Sequence, residues 1–145
     1  MIDADGSIGT TRTGIKRNVV GRVIVANTNQ EFLYTLKNEF GGSVSIRAKG
    51  HKENWKPFGA ICWSNRQAEI ILENVLPFLI IKKKQAELCI ELIQMRNLSK
   101  RERCDYVSSS TVGLKGRVTA QLKLEIRARE EELSALIRSL NTKGI

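Results

Sequence analysis

The sequence predicts an α+β domain in which four strands make one antiparallel sheet and the helices cover a single face of it. Three observations predict this. Two hairpin-like stretches are each followed by an amphipathic helical stretch, the helical stretches keep their apolar residues on one side, and 145 residues suit a single domain, 1–145, with its own core.

From Gly6 to about Thr13 small and polar residues alternate, and the β-branched run Asn18 to Ala26 follows after Gly14 to Arg17, which predicts a hairpin. Ser7, Gly9, Thr11 and Thr13 share one face of the first strand, and Ile8, Thr10 and Arg12 the other. Neither face is strongly apolar, which suits a surface that meets something polar. Thr28 to Glu31 has the capping-box pattern, Phe32, Leu33, Leu36 and Phe40 follow at helical spacing, and Gly41-Gly42 ends that helix. Val44, Ile46 and Ala48 then alternate with Ser43, Ser45, Arg47 and Lys49, and a loop at residues 50–54 leads to a strand around Lys56 to Ser64. Asn65 is the expected N-cap of a helix from Arg66 to Leu76, closed by Pro77, with Ala68, Ile71, Leu72, Val75 and Leu76 as its apolar stripe.

The next helix is expected from about Lys82 to Arg96, with Ala86, Cys89, Ile90 and Ile93 buried. Between Asn97 and Val118 the apolar period dissolves into Lys100-Arg101-Glu102-Arg103 and Ser108 to Thr111, the composition of a flexible loop. A C-terminal helix is expected over 119–141, with Leu122, Ile126, Leu133, Leu136, Ile137 and Leu140 apolar and its charged remainder solvated.

A net charge of +9 implies an acidic partner, nucleic acid first and an anionic membrane second. No apolar run approaches the roughly 18 residues of a membrane span and no signal-peptide pattern opens the chain, so a soluble protein of the cytoplasm or an organelle is expected. Cys62, Cys89 and Cys104 lack Cys-x-x-Cys spacing and have only His51 to join them, which argues against zinc and for reduced thiols. Small-molecule substrates have no evident motif.

The basic residues Arg12, Lys16, Arg17, Arg22, Arg47, Lys49, Lys52 and Lys56 lie on or beside the strands, where Glu53 is the one acid, whereas acids gather in the helices. This distribution favours a phosphate-binding sheet face, with Arg22 and Arg47 also able to read guanine edges, although basic residues protect strand edges too. Lys82, Lys83 and Lys84 sit at a helix start, where cations oppose the helix dipole; they suit phosphate contacts, or a solubilising cluster after the apolar run Phe78 to Ile81. Trp55 and Trp63 suit base stacking or, more simply, core and sheet-edge positions.

The first stretch, Ile2-Asp3-Ala4-Asp5-Gly6-Ser7-Ile8, is open to two readings from its residues alone, a tight turn or a metal loop. It also resembles the second half of the motif that names the LAGLIDADG homing endonucleases, with Met1 where the last leucine of the missing first half would stand. Pro77 to Ala86 is similar to that family's Pro-Tyr/Phe-Leu-x-x-Lys-x-x-Gln-Ala segment, and Trp63 to Leu76 and Leu140 to Gly144 are familial in character, so the likeness spans nearly the whole chain.

The resemblance implies a saddle-like four-stranded sheet and a site-specific, metal-dependent DNA endonuclease acting as a homodimer on double-stranded DNA, associated with an intron, an intein or another mobile element. In that likeness Asp5 binds Mg2+ or another divalent cation, Ala4 offers its backbone carbonyl, Asp3 supports the geometry, and Lys82 is the active-site lysine. One acidic motif per chain implies two chains around a roughly palindromic site. DNA contacts are expected from Ser7, Gly9, Thr11, Thr13, Arg12, Lys16, Arg17, Arg22, Arg47, Lys49, Lys52, Lys83 and Lys84. The Gln and Arg that organise active-site water in some members have no clear counterpart near residues 27–30, Gln30 being the nearest. The truncated motif also admits an inactive remnant, an RNA-splicing maturase that binds without cutting, or a fragment of a longer reading frame. A small interaction domain for an acidic protein partner is a further alternative.

Overall fold

A computed structural model of the chain describes residue 2 and residues 6–15, 18–47, 57–107 and 112–142, apart from the side chains of 98–107 and 112–123. Strands β1 (Gly6–Thr13) and β2 (Asn18–Asn27) are followed by helix α1 (Gln30–Phe40). Strands β3 (Ser43–Arg47) and β4 (Phe58–Ser64), helix α2 (Arg66–Val75), a single 3-10 turn Leu76–Phe78, and helices α3 (Lys83–Val107) and α4 (Val112–Thr142) complete the order. The sheet is wholly antiparallel with strand order β1-β2-β4-β3, so the two hairpins meet along β2 and β4. This is the α+β arrangement the sequence predicts.

Alternation decides which face is buried. Val19, Val23 and Val25 of β2, Ile61 and Trp63 of β4, and Ile8 of β1 join Leu33, Leu72, Cys89, Leu92, Ile93, Leu133 and Ile137 from the helices in one core. Ile8 is fully buried, so the first strand does have an apolar inner face, contrary to the expectation from its polar composition. One residue suffices because the next two inward positions, Thr10 and Arg12, meet polar side chains of α4. Gly21 explains how closely α3 approaches the sheet: a Cβ there would lie 2.9 Å from both Cys89 Sγ and Ile93 Cγ1.

The helix ends follow local chemistry with one shift. Asn29, rather than Thr28, caps α1: its side-chain oxygen accepts from Phe32 N at 3.1 Å, and its own N–H donates to Asn27 Oδ1 at 2.8 Å. Asn has a short, planar acceptor that suits this position at least as well as Thr. Gly41 ends α1 at φ 69°, and its carbonyl accepts from the buried Trp63 Nε1 at 2.9 Å. Trp63 is therefore a core residue. Asn65 does precede α2, but at φ 52° and without a side-chain cap bond; its N–H donates instead to Gly21 O at 3.0 Å.

The loop expected over 97–118 is the main correction. α3 continues to Val107 and α4 already begins at Val112, so helix occupies most of that stretch. Lys, Arg, Glu and Leu are good helix formers and no proline interrupts the run, so loss of an apolar period marks a polar helix rather than a loop.

α4 lies antiparallel along the edge strand. Asn141 Nδ2 donates to Ile8 O at 3.0 Å, Thr10 Oγ1 and Ser134 Oγ are 2.8 Å apart, and Arg12 Nη2 donates to Glu131 Oε2 at 2.6 Å. The repeats match: Ile8 to Arg12 covers about 14 Å of strand at roughly 3.4 Å per residue. Glu131 to Asn141 covers about 15 Å of helix at roughly 1.5 Å per residue. Three successive inward positions of β1 thus each find a partner on one helix, which leaves the opposite face of the sheet uncovered by it.

Candidate active site and nucleic-acid interface

After α2, Pro77 is the middle residue of the 3-10 turn, Leu79 turns extended and is buried to 6% exposure, and Lys82 stands immediately before α3, its carbonyl accepting from Ala86 N at 3.0 Å. The apolar anchor and the helix start together fix the lysine. Its half-buried ammonium donates to Gly6 O at 2.5 Å and to Ile2 O at 3.2 Å. Those carbonyls belong to the two residues that bracket Asp3-Ala4-Asp5.

Ile2 and Gly6 also touch each other. A Cβ at Gly6 would lie 2.7 Å from both Ile2 Cα and Ile2 O, so only glycine fits this approach. Ile2 is itself a core residue. Both ends of the acidic tripeptide are therefore anchored beside Lys82, although Asp3, Ala4 and Asp5 lie outside the described residues. Among the described residues no group of three or more His, Cys, Asp and Glu could hold a metal ion.

The exposed face of the sheet is built by the residues that alternate with the core. Across the strands, Gly9, Arg22 and Ser64 form one row and Ser7, Ile24, Cys62 and Ser43 the next. Ala26, Ala60 and Ser45 follow, then Phe58 and Arg47. Ser7, Gly9, Thr11 and Thr13 all lie on this face, as the alternation predicts. Among the described residues the four strands hold no Asp or Glu. Arg47 lies over the Phe58 ring at 5.9 Å, and neither it nor Arg22 is in an ion pair among those residues.

Other arginines are used differently. Arg12 points to the helix layer and pairs with Glu131, Arg96 approaches Glu130 at 3.9 Å, and Arg129 bonds Glu91 at 2.7 Å and Glu132 at 2.8 Å. Arg12 thus stands apart from Ser7, Gly9 and Thr11, with which the sequence grouped it as a DNA contact. Lys83 and Lys84 are exposed on the first turn of α3, Lys84 at 3.6 Å from Glu87. Lys16, Arg17, Lys49 and Lys52, like Trp55, lie outside the described residues. Gln30 opens α1 and lines a shallow hollow with Thr28, Asn29 and Pro57.

Sequence reasoning missed three features. Ile24, Cys62, Ala26 and Ala60 give the sheet's open face an apolar centre, which the period of two in β2 and β4 carries. The Arg47–Phe58 pair depends on cross-strand register and has no local signal. Gln85, one helical turn beyond Lys82, is 3% exposed, and its Oε1 has no hydrogen-bond partner.

No protein-family model matches the chain, and no curated protein matches it. Solved structures do. The homing endonuclease I-CvuI, in complex with its target, superposes with TM-score 0.56 at 20% identity over 91% of this chain and 88% of that one. The archaeal intron-encoded homing endonuclease I-Vdi141I, complexed with DNA, gives TM-score 0.53 at 15% identity over 97% and 92%. The LAGLIDADG homing endonuclease I-GzeII gives TM-score 0.54 at 20% identity, covering 89% of this chain and 40% of that chain.

The chain has the LAGLIDADG homing endonuclease fold. In this LAGLIDADG fold the resemblance read from Ile2 to Ile8 and from Pro77 to Ala86 acquires a spatial meaning, because Lys82 links the two segments directly. Among the described residues no helix is long and apolar enough to cross a membrane.

Proposed function

We propose that the protein is a site-specific DNA endonuclease that hydrolyses both strands as a homodimer with a divalent cation. The observation that carries this reading is the pair of hydrogen bonds from Lys82 to Ile2 and Gly6 on a homing-endonuclease fold. A lysine held at both ends of an acidic tripeptide is suited to a reacting phosphate, whose negative charge grows in the transition state.

The donor chemistry fits a hard divalent cation, which takes carboxylate and carbonyl oxygens and keeps part of its water shell. Asp5 and the Ala4 carbonyl are the residues that would hold it. When bound, such an ion polarises the scissile phosphate and lowers the pKa of coordinated water. I-CvuI has been solved with its own target in the presence of Ca and with the I-CreI target in the presence of Mg, where the DNA was not cleaved. Lys82 opposes the charge that develops on the phosphate, Lys83 and Lys84 hold flanking phosphates, and the acid-free sheet face lies on the duplex.

A single carboxylate at Asp5 is too few for a metal clamp, so a second copy supplies the other. Phe78 at 79% and Ile80 at 86% exposure give the turn before Lys82 an apolar surface that suits a second copy. The test is Asp5→Asn on a duplex selected by the wild-type chain. Loss of Mg2+-dependent cutting with binding kept or strengthened supports the reading. Equal cutting by the variant removes the metal role, and salt-sensitive binding with no cutting by either chain favours an inactive remnant or a maturase.

A further inference from the structure

On the reading that the open sheet face lies on duplex DNA, we infer that it sets a half-site: a guanine contact from Arg22, a thymine-methyl contact from Ile24 and Cys62, and a second guanine contact from Arg47. The inference rests on the order of residues across the register. Arg22, Ile24 and Ala26 are successive outward positions on β2, and Cys62 and Ala60 are the β4 residues paired with Ile24 and Ala26. Arg47 lies two outward positions beyond Ser43, which pairs with Cys62.

The spacing converts directly to base pairs. Outward residues on one strand recur about every 6.7 Å, and base pairs rise about 3.4 Å along each DNA strand. A strand running along the major groove therefore presents one outward residue about every two base pairs. Arg22 lies about two base pairs from the Ile24 and Cys62 row. Arg47 lies about four further on, beyond the row of Ala26, Ala60 and Ser45.

Chemistry assigns each row. Arginine makes a two-pronged bond to guanine O6 and N7, whereas a branched aliphatic side chain has no polar atom and discriminates only through the thymine methyl. Ile24 and Cys62 are half-buried neighbours in a row that ends at Ser7 on one side and Ser43 on the other. The two arginines are free of glutamate partners among the described residues, unlike Arg12, Arg96 and Arg129 on the helix layer. The stack on Phe58 restrains the Arg47 side chain before any base arrives. Ala26 and Ala60 project little, so the rows between the thymine and the outer guanine carry weak selection.

The experiment is selection of duplexes from a randomised pool by binding to the full-length chain without divalent metal, followed by affinity measurement on the recovered site. The expected half-site has two G·C positions about six base pairs apart with a T·A position about two base pairs inside the Arg22 end. Replacing that thymine with deoxyuridine, which removes only the methyl, lowers affinity about three- to tenfold, and Ile24→Ala removes the sensitivity to this change. Arg22→Ala relaxes selection at one guanine alone and Arg47→Ala at the other. Recovered sites without this spacing, or with deoxyuridine bound as tightly as thymine, overturn the inference while leaving DNA binding intact. Failure to retain any duplex at low salt overturns the nucleic-acid reading as well.

Discussion

Lys82 Nζ donates to the carbonyl oxygen of Gly6 at 2.5 Å across a separation of 76 residues, so the start of the chain and the turn before α3 form one site. A lysine bound to two backbone carbonyls is held in one place. A donor fixed in this way suits stabilising a phosphate.

Lys82→Met is expected to lower cleavage of the selected duplex by about 10²- to 10³-fold, the scale of losing one preorganised donor. DNA affinity changes little, because the duplex is held mainly by the sheet. Single-turnover cleavage and filter binding on the same preparation separate the two, and an unchanged cleavage rate would remove Lys82 from the chemistry.

Gly6→Ala places a methyl group 2.7 Å from Ile2 Cα and O, where backbone has to move. The expected loss of stability is about 1–3 kcal/mol, as for other overpacked sites. Cleavage falls with it, because the same shift pulls Gly6 O from Lys82. Urea unfolding alongside activity checks this; a variant as stable and as active as wild type contradicts the close approach.

Gly21→Ala drives a Cβ against Cys89 Sγ and Ile93 Cγ1, each 2.9 Å away. A loss of about 1–3 kcal/mol is expected. Combined with Cys89→Ala, the two changes should destabilise less than their sum, since each alone disturbs the same contact. Additive losses would mean that β2 and α3 are less tightly apposed.

Burial pushes the Cys89 thiol up to about 12, opposed in part by the backbone N–H of Arg22. The folded protein holds this proton more tightly than the unfolded chain, whose thiol titrates near 9. Stability from this group is therefore complete below pH 9 and declines as pH rises towards 12. Cys89→Ala should flatten that alkaline decline, and Cys89 should resist alkylation in the folded state while half-buried Cys62 reacts.

Arg12→Ala should alter DNA affinity less than Arg47→Ala. Arg12 faces Glu131 on the helix layer, and an exposed pair of this kind contributes about 0–1 kcal/mol to stability. Titration of both variants with one duplex at one salt concentration decides it, and equal losses would put Arg12 on the nucleic-acid surface after all.

Much of the fold is legible because periodicity is local. The β-branched run in β2, the alternation in β4 and the stripe Ala68, Leu72 in α2 each state their own burial. The extent of α3 was hidden because a polar helix and a polar loop share a composition, and their difference lies in backbone hydrogen bonds. Alternation correctly puts Arg12 on the face of Ile8 and Thr10, but which face of β1 meets α4 is a tertiary fact. The nearness of Lys82 to Gly6 has no trace in local pattern and was available only through family resemblance. Asp5 and Ala4 remain proposals from that resemblance, whereas their flanking residues are fixed by Lys82 and the core.

The measurement that bears most directly on a site completed by two copies is the mass of the complex with the selected duplex, read together with strand cleavage after Mg2+ is added. Two chains per duplex and cuts in both strands are expected. One chain per duplex, with one strand or neither cut, would contradict a site shared between two copies.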